Sequence, residues 1–214
     1  MVAVVEQIKN KDSERRYTLE EYFKLEEKAE QKSEFHNGKL IPMAGGTFNH
    51  NTLSATICAL LFMHFFDSEE EISIHNSDQK VYIEKYNKSV YTDTCAVVGK
   101  IEAYQGGNQA IQNPTLIVEV ASKSTEGYDR GGKFRMYKSL PSFQEYVIVN
   151  QYMPVVEVFY KIKENKWEVT SYIGLEETVK FTTLDVELKM SDLYKKTTDL
   201  KDPQTVIDFL EEEE

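Results

Sequence analysis

PTLIVEVASKSTEGYDRGGKFRMYKSLPSFQEYVIVN, residues 114–150, holds two apolar runs around a charged insert. Leu116, Ile117, Val118 and Val120 read as a buried strand over 115–121, and FQEYVIVN, 143–150, reads as the next strand. Between them lie a polar loop and a short basic helix near 129–139, which Pro141 stops. Glu119 interrupts the first run. An unpaired ionised carboxyl in a dry interior is strongly unfavourable, so Glu119 needs a cation, a donor or water.

Upstream, the first ten or so residues read as a loose arm. YTLEEYFKLEEKAEQ, 17–31, is an amphipathic helix with Thr18 as its cap and Glu21 as capping-box partner. Leu19, Tyr22, Phe23 and Leu25 form its apolar face. KSEFHNGKLIPMAG, 32–45, is a hairpin about Asn37-Gly38, a strong two-residue turn signal. A second, more buried helix follows in HNTLSATICALLFMHFFDS, 50–68, with its cap near Asn51 or Thr52. EISIHNSDQKVYIEK, 71–85, and SVYTDTCAVV, 89–98, are extended, and GKIEAYQGGNQAIQN, 99–113, reads as a loop.

Downstream, PVVEVFYKIKENKWEVTSYIG, 154–174, alternates apolar and polar residues about a KENK turn. DVELKMSDLY, 185–194, is a last strand and turn, and DPQTVIDFLEE, 202–212, a weak helix. The organisation predicted is a 1–16 arm, one domain over 17–198, and a C-terminal helix with an acidic tail over 199–214. Fold class is α+β (mixed α/β).

The 214 residues suit one core, and no stretch approaches the roughly 20 apolar residues of a membrane span. With no secretory pattern at the N-terminus, the expected location is cytoplasmic. The two cysteines, Cys58 and Cys95, lie in apolar runs and read as free buried thiols. A net charge of −11 argues against nonspecific coating of nucleic acid, but not against a local basic face or acids that hold a cation.

Asp93 interrupts SVYTDTCAVV as Glu119 interrupts TLIVEVAS. If the two strands are neighbours, both carboxylates converge, and a hard divalent cation such as Mg2+ resolves their repulsion. Asp129, Lys133 and Tyr137 follow at spacings of four, on one helix face. Lys133 beside paired acids is suited to orient or deprotonate an activated water, or to stabilise charge on a phosphate. Arg130, Arg135 and Lys138 add basic character suited to a phosphodiester backbone. Each residue alone also fits a structural ion pair or cap; the ordered set Asp93, Glu119, Lys133 carries the functional reading.

The string VEV…S.ST…YDRG.K…Y resembles the Uma-two family of restriction endonucleases within the PD-(D/E)XK nuclease superfamily, with the resemblance covering about residues 17 to 194. The resemblance implies a restriction-endonuclease-like mixed β-sheet flanked by helices, a trailing β-meander, and a phosphodiesterase site using Mg2+, with Mn2+ as substitute. It implies Asp93 and Glu119 as the two motif acids and Glu34, in KSEFHNG, as an N-terminal glutamate near the site. Asp93, Glu119 and Glu34 are then metal ligands. Two positions depart from the pattern: Thr92 replaces a proline, and Ala121 replaces the motif lysine, whose work passes to Lys133.

The leading expectation is therefore a DNA endonuclease, acting as a homodimer if both strands are cut. A catalytically inactive, fold-retaining interaction protein without metal is the alternative, and a small phosphate ester shares the metal chemistry. His50, in FNHNT, could approach the site or contact phosphate, but a histidine at a helix start reads first as a capping or surface residue; His36, His64 and His75 lack ligand spacing. Asp78 and Gln79 read as turn residues, and Ser122 and Ser124 have no histidine partner for acyl transfer.

Overall fold

A computed structural model of the chain describes residues 15–104, 110–122 and 127–204. Most of the proposed N-terminal arm, the centres of the 99–113 connector and of the 122–127 loop, and most of the C-terminal helix lie outside the described residues.

The first helix, α1 (Leu19–Glu26), carries the capping box read from its sequence: Thr18 Oγ1 accepts from Glu21 N at 3.1 Å, and Glu21 Oε2 accepts from Thr18 N at 2.9 Å. It ends sooner than predicted. Leu19, Tyr22 and Phe23 are buried, whereas Leu25 is exposed, because it falls outside the stripe that meets the sheet. Strands β1 (Ser33–His36) and β2 (Lys39–Pro42) form the hairpin, with Asn37 and Gly38 at φ of 48° and 89°. Both angles lie in the left-handed region that Asn and Gly adopt most cheaply.

Helix α2 (Phe48–Phe65) starts earlier than predicted. Thr47, not Asn51 or Thr52, is its cap, since the Thr47 hydroxyl accepts from His50 N at 3.2 Å. It buries only the stripe Leu53, Ser54, Ile57 and Leu61, so its uniform apolarity overstated its burial.

Strands β3 (Ile72–His75), β4 (Lys80–Ile83), β5 (Lys88–Tyr91) and β6 (Thr94–Val98) follow. SVYTDTCAVV is thus not one interrupted strand: β5 and β6 belong to different sheets, and Thr92-Asp93 is where the chain crosses between them. In the connector read as loop, β7 (Ala110–Ile111) pairs parallel with β4.

The segment 114–150 forms β8 (Leu116–Ala121), a π-helical turn (Tyr128–Lys133), α3 (Phe134–Tyr137) and β9 (Glu145–Asn150), with β9 parallel to β8. The remaining elements are β10 (Val155–Lys163), β11 (Lys166–Ile173), β12 (Thr178–Phe181), β13 (Val186–Lys189) and α4 (Met190–Leu193). β12 was not read from the sequence; it pairs with β13 alone.

One sheet runs β2-β1-β5-β4-β7; the other, mixed, runs β11-β10-β9-β8-β6-β3. The mixed sheet carries α2 on one face, where Leu53, Ile57 and Leu61 meet Leu116, Val118, Val120 and the inner side of the β12–β13 hairpin. On its other face, Ile117, Ala121 and Ile148 meet Met136, Tyr137 and Leu140 of the crossover. α1 covers the other sheet through Tyr22, Phe23, Phe35 and Tyr82. This is the α+β architecture with a mixed sheet between helices. Among the described residues no helix is long and apolar enough to cross a membrane.

Candidate active site

Alternation along β8 puts Leu116, Val118 and Val120 towards α2, and Ile117, Glu119 and Ala121 towards the crossover. Glu119 is 3% exposed, and both its oxygens are engaged from the crossover. Lys133 Nζ lies 3.0 Å from Oε2, and the Tyr137 hydroxyl donates to Oε1 at 3.0 Å. Lys133 also stands 3.6 Å from Asp129 Oδ1. The spacing of four places all three crossover residues together, although Asp129–Lys133 is a π-turn rather than the α-helix expected. The Tyr146 hydroxyl, from β9, donates to Asp129 O at 3.1 Å and anchors that turn to the sheet.

Asp93 arrives on the neighbouring strand. β6 and β8 pair with Thr94 opposite Val118, so Asp93 stands at the next position, level with Glu119. Its Oδ2 accepts from Val120 N at 2.7 Å and lies 3.3 Å from His50 Nε2. Glu34 comes from the other sheet. Its Oε1 accepts from Tyr91 N at 3.3 Å, and its Oε2 lies 2.8 Å from His36 Nε2.

Burial pushes the Glu119 carboxyl up to about 8; Asp93 and Asp129 add to the rise, and Lys133 opposes it. Burial acts on Lys133 in the opposite sense, against its charge. The carboxylates of Glu119, Asp129, Glu34 and Asp93 together overcome it and hold the ammonium above its ordinary value. Lys133 therefore stays cationic at neutral pH, which suits charge stabilisation rather than proton removal. Asp93 lifts His50 above the usual imidazole value, while burial and Lys133 pull the other way.

Glu119, Lys133 and Asp129 are thus in contact, Asp93 is adjacent, and Glu34 reaches them through its field. Among the described residues no group of three or more His, Cys, Asp or Glu side chains is placed to hold a metal ion. His50, read first as a cap or surface residue with approach to the site as the lesser alternative, meets Asp93; its helix-start position suggested the approach but could not name the partner. Gln151 was also missed: buried, it donates to Ala121 O at 2.9 Å and accepts from the Thr47 hydroxyl, tying the start of α2 to the end of β8. Arg130 pairs with Glu157, and Lys138 lies over the Phe134 ring at 4.7 Å. Asp78 pairs with Lys32, a structural use.

A family model described as "Putative restriction endonuclease", Uma2, matches residues 19–191. The chain belongs to the Uma2 family. Two Synechocystis sp. proteins are similar to it. "Uncharacterized protein sll1609" is 32% identical over 169 residues, spanning 79% of this chain and 94% of that protein. "Uncharacterized protein slr1290" is 35% identical over 153 residues, spanning 72% of this chain and 78% of that protein. Among solved structures, one titled "a putative nuclease belonging to DUF820", from Anabaena variabilis, superposes with a TM-score of 0.66. At 16% identity, over 84% of this chain and 98% of the other, it shares the fold. The Uma2 match spans every candidate residue, from Glu34 to Lys133.

Proposed function

We propose that this Uma2 chain is a Mg2+-dependent DNA endonuclease, with Mn2+ able to substitute. The observation that carries the reading is buried Lys133, 3.0 Å from Glu119 and 3.6 Å from Asp129, with Asp93 level with Glu119 on the neighbouring strand. Buried acids paired to one lysine are an expensive way to stabilise a core, and adjacent carboxylates are a suitable way to bind a cation.

Mg2+ is commonly held by one or two carboxylates, with water and substrate phosphate completing the shell. Asp93 and Glu119, hard oxygen donors level with each other on adjacent strands, would supply those carboxylates; Glu34, the third acid that the resemblance implies, is met by Tyr91 N and His36. A divalent cation held there would lower the pKa of an attacking water and neutralise charge on the phosphoryl oxygens. Lys133 adds a fixed positive charge for the developing phosphorane. Tyr137 fixes the Glu119 rotamer, His50 steadies Asp93, and the apolar crossover keeps bulk water off the inner side of the site. One site cuts one strand, so cleavage of both is assigned to a homodimer.

The fold-retaining, metal-free interaction protein has two observations in its favour. Ala121 stands where the superfamily pattern carries lysine, and Glu119 is already satisfied by Lys133 and Tyr137. Titration calorimetry with Mn2+ on the wild type and Asp93→Asn separates the two readings, because Asn retains an acceptor for Val120 N. Endonuclease function predicts binding by the wild type, its loss in the variant, and plasmid nicking that is lost with it. No Mn2+ binding, with or without DNA, and no nicking would leave the interaction protein.

A further inference from the structure

The side of α2 turned away from the mixed sheet is apolar as well. Opposite the buried Leu53, Ile57 and Leu61 runs a second stripe: Phe48, Thr52, Ala55, Ala59, Phe62 and, at the C-cap, Phe66. The three phenylalanines are 92%, 49% and 62% exposed, and both alanines are exposed. A surface helix ordinarily carries charge on this side. Here no Asp, Glu, Lys or Arg occurs between Lys39 and Asp67, in a chain that is 29% charged with a net charge of −11.

The spacing of the stripe says what fits it. Its steps are four, three, four, three and four residues, the same read from either end. Turned end for end about the level of Ile57, the stripe falls on itself: Phe48 opposite Phe66, Thr52 opposite Phe62, Ala55 opposite Ala59. A two-fold interface requires this self-matching, in which each residue meets its counterpart's partner and the reverse. The alanines lie at the centre, where two helices ~8–10 Å apart leave little room for side chains. Charge agrees at the ends. Exposed Asp67 follows the C-terminus of α2, whose dipole disfavours it, and the first turn of α2 holds no acid. In the reversed copy Asp67 comes level with the positive N-terminal end of the other α2. The exposed parts of the three rings come to roughly 300–500 Å², at ~150–250 Å² for an aromatic side chain. Met63, 64% exposed beside them, and the smaller residues extend this towards the ~600–800 Å² per partner of a stable interface.

We propose that two copies of this chain associate through this stripe, α2 antiparallel to α2 about a two-fold axis at the level of Ile57. The reason for pairing rests on the endonuclease reading, which assigns cleavage of both strands to two copies; the choice of surface does not.

Sedimentation velocity of the full chain over a concentration series is the test. The expected species is a dimer, with twice the 24.8 kDa mass of the chain. Ala59→Glu puts a charge at the centre of the stripe and outside the core. It should return the protein to the monomer mass at an unchanged urea midpoint, which separates dissociation from unfolding. Ala59→Ser should stay dimeric, as should Val169→Glu, which adds the same charge at an exposed position of β11. A monomeric wild type, or a dimer that survives Ala59→Glu, overturns the proposal. If the wild type is monomeric and Phe209→Glu makes it dimeric, the chain's own C-terminal segment holds the stripe, and the proposal falls. Mn2+ titration and plasmid nicking keep the two readings apart. A dimer lost in Ala59→Glu, with no Mn2+ binding and no nicking, leaves the interface standing without the endonuclease; nicking by a monomeric wild type does the reverse.

Discussion

Lys133 and Glu119 form a pair that is costly to bury, since both side chains are almost wholly enclosed. Above the Glu119 value of about 8, where that carboxyl is ionised, removing Lys133 leaves it as an uncompensated buried charge. Lys133→Met should therefore lower stability there by about 3–5 kcal/mol, read as a fall in urea midpoint at unchanged slope. A loss under ~1 kcal/mol would mean that water reaches the pair, as in an exposed bridge. pH gives a second reading of the same residues. The folded Glu119 carboxyl sits at about 8 against an ordinary 4.5, so between those values the folded state binds more protons than the unfolded one. Its contribution is thus intact below about 4.5 and is lost as pH rises towards 8. Compared with Glu119→Gln, which has no such proton, the wild type should lose ground over that interval. Parallel stability curves for the two proteins would contradict it.

At the scale of elements, the start of α2 and the end of β8 behave as one unit. Thr47 caps the helix, accepts from His50 N at 3.2 Å and donates to Gln151, which in turn donates to Ala121 O at 2.9 Å. Thr47→Ala removes a cap and leaves the buried Gln151 oxygen without that donor, a loss of about 1–3 kcal/mol. Thr47→Ser should recover most of it; equal losses for Ala and Ser would show that the methyl group matters rather than the hydroxyl. Elements were legible wherever the local code is strong. The Thr18 capping box and the Asn37-Gly38 turn are set by residues within four positions of one another, and both stand as read. The start of α2 was misplaced because the apolar run signals a helix but not its first residue, and Thr47 is chosen by a partner 104 residues away. β7 and β12 were missed for a related reason: short strands are stabilised by what they pair with, not by their own pattern.

The whole molecule is organised about β8, paired with β6 on one side and β9 on the other, with all six residues buried. Amide exchange should therefore be slowest in β6, β8 and β9, and faster in the β1–β2 hairpin, whose outer strand is largely exposed. Hairpin amides that outlast those of β8 would contradict this layout. Apolar periodicity, turn chemistry and spacings of four are properties of neighbouring residues, so the sequence by itself determined the α+β class, the strand–crossover–strand unit, and the shared face of Asp129, Lys133 and Tyr137. A carboxylate in an apolar run also announces that it needs a partner, which is why Glu119 was singled out. Who the partners are is a different kind of question. That Asp93 lies between two sheets rather than inside a strand, that His50 meets it, and that Glu34 acts on Lys133 from the other sheet are consequences of which strands pair. Pairing is settled by the joint burial of residues far apart in the chain, and only the tertiary structure decided it.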